Sequence, residues 1–211
     1  MQTLQQFSKQ NFISICKQLS KKDADLKRVI DENGYPPMWQ RKANFETLIH
    51  IILEQQVSLA AAMAALKKLK EKLGTITPVK FLALSDEDLR RCYFSRQKII
   101  YTRHLAEAIL NKNLSLKKLP TTPDETVRTE LLKIKGIGNW TADVYLMMVL
   151  QRSDLFPAGD IALIKSIKEV KQLHQHTSKE EILQLAENWR PYRTVAAFIL
   201  WHAYLCKRKK K

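Results

Sequence analysis

Residues 131–146, "LLKIKGIGNWTADVYL", hold two of the chain's five glycines, Gly136 and Gly138, within three positions of each other. Apolar residues recur at helical spacing on both sides, so the stretch reads as two helices joined through Ile134-Lys135-Gly136-Ile137-Gly138. Without a Cβ, the glycines admit positive φ and leave the main chain bare, while Ile134 and Ile137 can anchor the turn in a core. A second helix starting near Asn139 offers unpaired N–H groups at its first turn, and that end of a helix suits an anion such as phosphate. Taken alone, a plain corner between two helices explains the same residues equally well.

The charge of the chain tilts this choice. Of 211 residues, 36 are Lys or Arg and 21 are Asp or Glu, giving +15 and a pI near 9.8. Such a surplus favours a polyanionic partner, nucleic acid before membrane. The basic run at 207–211 supplies five of those charges, and the remainder still carries +10. The run itself is expected to be a solvated, disordered end. Cys16, Cys92 and Cys206 are three in number and far apart, which excludes a disulfide framework and a CxxC metal site. No secretory segment and no apolar run of membrane-spanning length is present, so a soluble cytoplasmic protein is expected, nucleoid-associated in a bacterium or nuclear in a eukaryote.

A helical period runs through most of the sequence. Residues 44–72 read as one stripe of Phe45, Leu48, Ile49, Ile52 and Leu53, continued by Val57, Ala60, Ala61 and Ala64. Ser85 and Asp88 form a capping signal, residues 96–111 an amphipathic helix, and Thr122-Pro123-Asp124 open the helix that ends at the glycines. Further helices are expected over 139–151, 160–171, 178–188 and 191–206. Period-2 alternation of β-branched residues is nearly absent, so the fold class is all-α, with about nine to eleven helices.

Four motifs in order resemble one known family. "LLKIKGIGNWTA" resembles the helix-hairpin-helix of the DNA glycosylase superfamily named for that hairpin, its Gly/Pro-rich loop and its aspartate. "LFPAGDIALIK", residues 155–165, is similar to that loop leading to an Asp at a helix start. "FETLIHIILEQQVSLAAA", residues 45–62, and "WRPYRTVAAFILW", residues 189–201, are similar to the Gln-Gln-Val-Ser helix and the closing helix of 3-methyladenine DNA glycosylase II. Together they cover roughly residues 25–205.

The resemblance implies a base-excision enzyme acting on double-stranded DNA as a monomer, with Asp160 catalytic. Breaking an N-glycosidic bond builds positive charge on the sugar, which a carboxylate stabilises while it orients or deprotonates water. Read from the residues alone, Asp160 is also an N-cap for the helix that follows. In bifunctional relatives a lysine stands where Trp140 stands here, so the resemblance implies a monofunctional glycosylase that leaves an abasic site. Trp140 and Trp201 are implied at the base pocket, with Trp39 a further candidate, since aromatic faces attract the cationic alkylated purine. A pocket tyrosine of the family falls on Val144, with Tyr145 one place beyond. Gln56 is the implied side chain that enters the duplex when the base is flipped, and Gln55 its neighbour. Ile134, Gly136, Ile137, Gly138 and Thr141 are implied at the phosphate. The family's monovalent cation would fall on the carbonyls of Leu132, Ile134 and Ile137. No cofactor is required, and the iron–sulfur cluster of endonuclease III relatives lacks its four clustered cysteines.

Two helical lobes are expected, one from 42–154 and the other from 1–41 with 155–211, the hairpin and Asp160 facing a cleft between them. Longer 3-methyladenine glycosylase II proteins carry an N-terminal mixed β domain; with about 40 residues ahead of the first signature helix, a compact form is expected here. The expected reaction is release of alkylated purines such as 3-methyladenine and 7-methylguanine. A glycosylase for deaminated or oxidised bases, and a non-catalytic helix-hairpin-helix DNA-binding protein, are the alternative readings.

Overall fold

The computed structural model describes residues 5–209. Among them run twelve α-helices: α1 (Phe12–Lys22), α2 (Ala24–Asn33), α3 (Phe45–Glu54), α4 (Leu59–Leu73), α5 (Pro78–Leu82), α6 (Asp86–Arg91), α7 (Arg96–Leu110), α8 (Asp124–Leu132), α9 (Asn139–Met148), α10 (Ile161–Val170), α11 (Lys179–Glu187) and α12 (Arg193–Lys209). One isolated bridge, Gln6 to Arg152, is the only β pairing among the described residues, so the all-α expectation holds. Caps written in the sequence start many of these helices. Ser85 and Asp88 form the expected capping box at α6, and Ser178 with Glu181 forms another at α11.

The expected single stripe over 44–72 is broken. α3 stops at Glu54, Gln55 is extended, Gln56 takes φ 58°, and Ser58 caps a new helix by accepting from the amide of Ala61 at 3.2 Å. This break resets the helical phase. The residues of α4 that face the core are Ala62, Ala65, Leu66 and Leu69, whereas Val57, Ala60, Ala61 and Ala64 are exposed.

The chain forms two compact units, Arg41–Tyr145 and a second drawn from Met1–Gln40 and Leu146–Lys211. The boundary therefore falls inside α9, at Tyr145 rather than after residue 154. Main-chain pairing is the reason. Phe7 donates its N–H to the carbonyl of Gln151 and Ser153 donates to that of Gln5, each at 3.0 Å, and the Gln6 side-chain Nε2 donates to the carbonyl of Leu150 at 3.0 Å. Residues 150–153 are thus tied to the N-terminal segment.

The Arg41–Tyr145 unit is centred on fully buried Leu48, Ile49, Ile52, Leu69, Phe81 and Leu105. The other is centred on Leu19, Leu26, Leu163, Ile167, Trp189 and Phe198. A polar hub supports the second core. Asp23 caps α2 through the amides of Asp25 and Leu26, and its carboxylate also accepts from Lys171 Nζ at 2.7 Å and from the indole N–H of Trp189 at 2.7 Å. Burial pushes the Asp23 carboxyl pKa up, and the Lys171 ammonium, the indole and the Leu26 amide outweigh that and hold it below the usual range. The basic run expected to be a disordered end is in part helical. α12 continues to Lys209, with Lys207 paired to Glu169 at 3.0 Å; Lys210 and Lys211 lie outside the described residues.

Candidate functional site

Within Arg41–Tyr145 the glycine stretch is a tight helical hairpin. The amide of Ile134 donates to Leu131 O at 3.1 Å, Ile137 donates to Ile134 O at 3.0 Å, and Ala142 donates to Gly138 O at 3.0 Å, which launches α9. Ile134 and Ile137 are buried as anchors. The two glycines have different reasons to be there. Gly136 takes φ 94°, and a Cβ on it would sit 2.0 Å from Cγ of Tyr101. Gly138 does not take positive φ, and a Cβ there would meet nothing within 4 Å. The two properties expected of the glycines, access to positive φ and a bare main chain, are divided between them: Gly136 takes the positive φ against a packed ring, and Gly138 leaves exposed main chain uncovered at the start of α9.

The paired glutamines also divide. Gln55 Nε2 donates to Gly136 O at 2.8 Å and to Thr141 Oγ1 at 2.9 Å, so Gln55 is a brace on the hairpin. Thr141 is buried, with 1% exposure, and its hydroxyl accepts from Gln55 inside the unit. Gln56 is exposed at the tip of the α3–α4 turn. Leu132 is exposed, and the carbonyl of Ile134 already accepts one hydrogen bond, which leaves a carbonyl's second lone pair for any cation there.

Sequence reasoning missed Lys98. Its Nζ donates to the carbonyls of Ile52, Leu53 at 3.1 Å and Gln55 at 2.8 Å, closing the C-terminal end of α3. Burial lowers its pKa to about 8, with nearby Glu54 acting the other way. One signal for it is legible: Ser95 caps α7 through the amide of Lys98, so this lysine stands in a helix's first turn, where the dipole disfavours a cation. Glu54, at the end of α3, is buried and held by a two-pronged pair with Arg41 at 2.7 and 3.0 Å. Trp140, in the first turn of α9, is half-buried, and Val144 and Tyr145 are both buried.

In the other unit, Asp160 is the N-cap of α10. Its Oδ1 accepts from the amide of Leu163 at 2.7 Å and from the indole Nε1 of Trp201 at 3.1 Å. Capping and a poised carboxylate are thus compatible in one residue. Trp201 is 8% exposed, and its polar edge is directed to the aspartate. Trp39 stands edge-on to Trp201 with ring centroids 6.3 Å apart, and edge-on to Phe198 at 5.2 Å. Gln151 Nε2 fixes the Trp39 main chain through its carbonyl at 3.2 Å. Trp39, Trp201 and Asp160 are therefore brought together, an aromatic pair beside a held carboxylate.

A family model described as the HhH-GPD superfamily base excision DNA repair protein matches residues 49–191, which takes in the α3–α4 turn, the hairpin and the Asp160 turn. The chain belongs to the HhH-GPD superfamily of base excision DNA repair proteins. It is 31% identical over 186 residues to YfjP of Bacillus subtilis, covering 84% of this chain and 65% of that protein. The chain thus spans a little under two thirds of that relative's length. It is 33% identical to the alkylbase DNA glycosidase-like protein mag2 of Schizosaccharomyces pombe, covering 79% of this chain and 81% of mag2. The solved S. pombe 3-methyladenine DNA glycosylase Mag1, in complex with abasic DNA, superposes with a TM-score of 0.81 at 28% identity over 89% of this chain and 95% of Mag1. Trp39 and Trp201 lie outside the span that the HhH-GPD model matches. No helix of the described residues is long and apolar enough to cross a membrane, and no three His, Cys, Asp or Glu among them form a group that could hold a metal ion.

Proposed function

We propose that this chain is a monofunctional DNA glycosylase that hydrolyses the N-glycosidic bond of alkylated purines, such as 3-methyladenine and 7-methylguanine, in double-stranded DNA. The observation that carries the reading is Asp160, held by the Leu163 amide and the Trp201 indole in a chain of this superfamily. As the bond to the base breaks, the sugar gains positive charge, and a fixed carboxylate stabilises that charge without having to reorganise. The same carboxylate orients or takes a proton from the attacking water. Gly136, Gly138 and the exposed start of α9 hold a backbone phosphate, while Gln56 fills the gap left by the flipped base. Trp140, Trp201 and Trp39 offer aromatic faces to a cationic base, an attraction of about 0.5–2 kcal/mol.

Trp140 stands where a Schiff-base lysine would be needed, which supports base removal without strand cleavage. The proposed enzyme needs no redox cofactor and works as a monomer. A monovalent cation on the carbonyls of Leu132, Ile134 and Ile137 would add positive charge beside the phosphate. The test is a methylated duplex incubated with purified protein in chelator. Free 3-methyladenine or 7-methylguanine and intact abasic strands are expected; no released base from any methylated duplex would overturn the reading.

A further inference from the structure

Two contacts within Arg41–Tyr145 converge on one turn of α7, and a third joins the two elements they seat. The ammonium of Lys98 has three N–H groups, and they meet the three carbonyls of Ile52, Leu53 and Gln55. Three residues on, the ring of Tyr101 lies where a Gly136 side chain would be, 2.0 Å from the position of its Cβ. Gln55 then crosses from the α3–α4 turn to the hairpin through Gly136 O and Thr141 Oγ1. The turn and the hairpin are therefore each seated on α7 and tied to each other. Gln56, at the middle of that turn, takes φ 58°, a left-handed conformation that costs a non-glycine residue about 1 kcal/mol or more. Such a conformation persists only where the surrounding contacts over-determine it. Here the carbonyl of the residue just before Gln56 is held by Lys98.

We propose that Lys98 is a positioning residue: by closing the α3 end against α7, it fixes exposed Gln56 at a set distance from the Gly136 hairpin, so that backbone grip and duplex entry occur in register. This rests on the reading that the hairpin and Gln56 meet DNA. Tyr101 sets the hairpin end of the same spacer, and Gln55 couples the two. Lys98 touches neither substrate nor reacting atoms in this scheme. Its loss should spare phosphate binding and impair opening of the duplex.

The experiment uses the full chain and a duplex with 2-aminopurine opposite a tetrahydrofuran abasic-site analogue, which reports stacking without chemistry. Wild-type protein should raise the fluorescence on binding, and Gln56→Ala should abolish the rise. Lys98→Met should lose most of the rise while duplex affinity falls by less than about threefold, and Lys98→Arg, which keeps the charge and donors, should restore at least half of it. In single-turnover base release, Lys98→Met should slow a paired 7-methylguanine by about tenfold and the same lesion in a single strand by less than about threefold. A full rise with Lys98→Met, no rise with the wild type, or equal losses on paired and single-stranded lesions would overturn the assignment. Wild-type protein that gives the fluorescence rise and releases no methylated base overturns the proposed reaction instead, and the fluorescence arm still decides the role of Lys98.

Discussion

The indole N–H of Trp201 donates to Oδ1 of Asp160 at 3.1 Å, beside the Leu163 amide on the same oxygen at 2.7 Å. Two donors on one oxygen fix the rotation of the carboxylate, and the Trp201 ring is itself set edge-on against Trp39. The tryptophan thus combines an aromatic surface with a hold on the proposed catalytic group. Trp201→Phe keeps an aromatic ring, smaller than the indole, and removes the donor. Single-turnover base release should fall by about tenfold, the equivalent of a hydrogen bond worth about 1.4 kcal/mol, with DNA affinity nearly unchanged. Equal loss of affinity and rate would assign Trp201 to binding alone.

Gly136 and Gly138 should respond differently to alanine. At Gly136 the new methyl meets Tyr101 and the backbone at φ 94° resists any side chain, so Gly136→Ala should destabilise by about 2 kcal/mol or more, read as a lowered Tm. Gly138→Ala has open space and should change Tm little while weakening duplex binding, because it covers main chain at the start of α9. A Gly138→Ala protein with reduced Tm and full affinity would contradict this division.

How much of this was legible before the structure depends on whether the cause was local. The hairpin, the Asp160 cap and the helix starts at Ser85 and Ser178 are set by residues within a few positions of one another, and those readings agree with the structure. The break at Gln55–Ser58 was not legible in the hydrophobic pattern, because Val57 and the alanines continue an apolar period that a helix could carry. The group that caps the end of α3 is Lys98, more than forty residues away in the chain. The same holds for Asp23, whose cap is local but whose partners Lys171 and Trp189 come from the far end of the sequence. Gln55 and Thr141, expected near DNA, bond to each other because chain topology brings the turn onto the hairpin.

Asp23 gives a pH test of the fold. Its carboxyl pKa is lower in the folded chain than in the unfolded one, so its contribution is present above the unfolded value and is lost as pH falls through the folded one. Asp23→Asn should lower Tm at neutral pH. The difference from wild type should shrink progressively as the pH is taken below about 4, near the ordinary aspartate pKa. A difference that stays constant across that range would remove Asp23 from the account of stability.

Tryptophan at 140 carries its own chemical prediction. With no amine at that position, incubation with lesion duplex and borohydride should trap no covalent protein–DNA adduct, and abasic strands should stay intact until treated with alkali. A reducible adduct on gel electrophoresis would show that another lysine attacks the sugar and that the enzyme is bifunctional.

The central claim is that Asp160 stabilises charge on the sugar. Asparagine is as good an N-cap as aspartate, and its amide oxygen can still accept from Leu163 and Trp201, so Asp160→Asn removes the charge and leaves the fold intact. Single-turnover release of 7-methylguanine from a duplex is the direct measurement. The account predicts a loss of about a hundredfold or more with duplex affinity held within about threefold; release at the wild-type rate would contradict it.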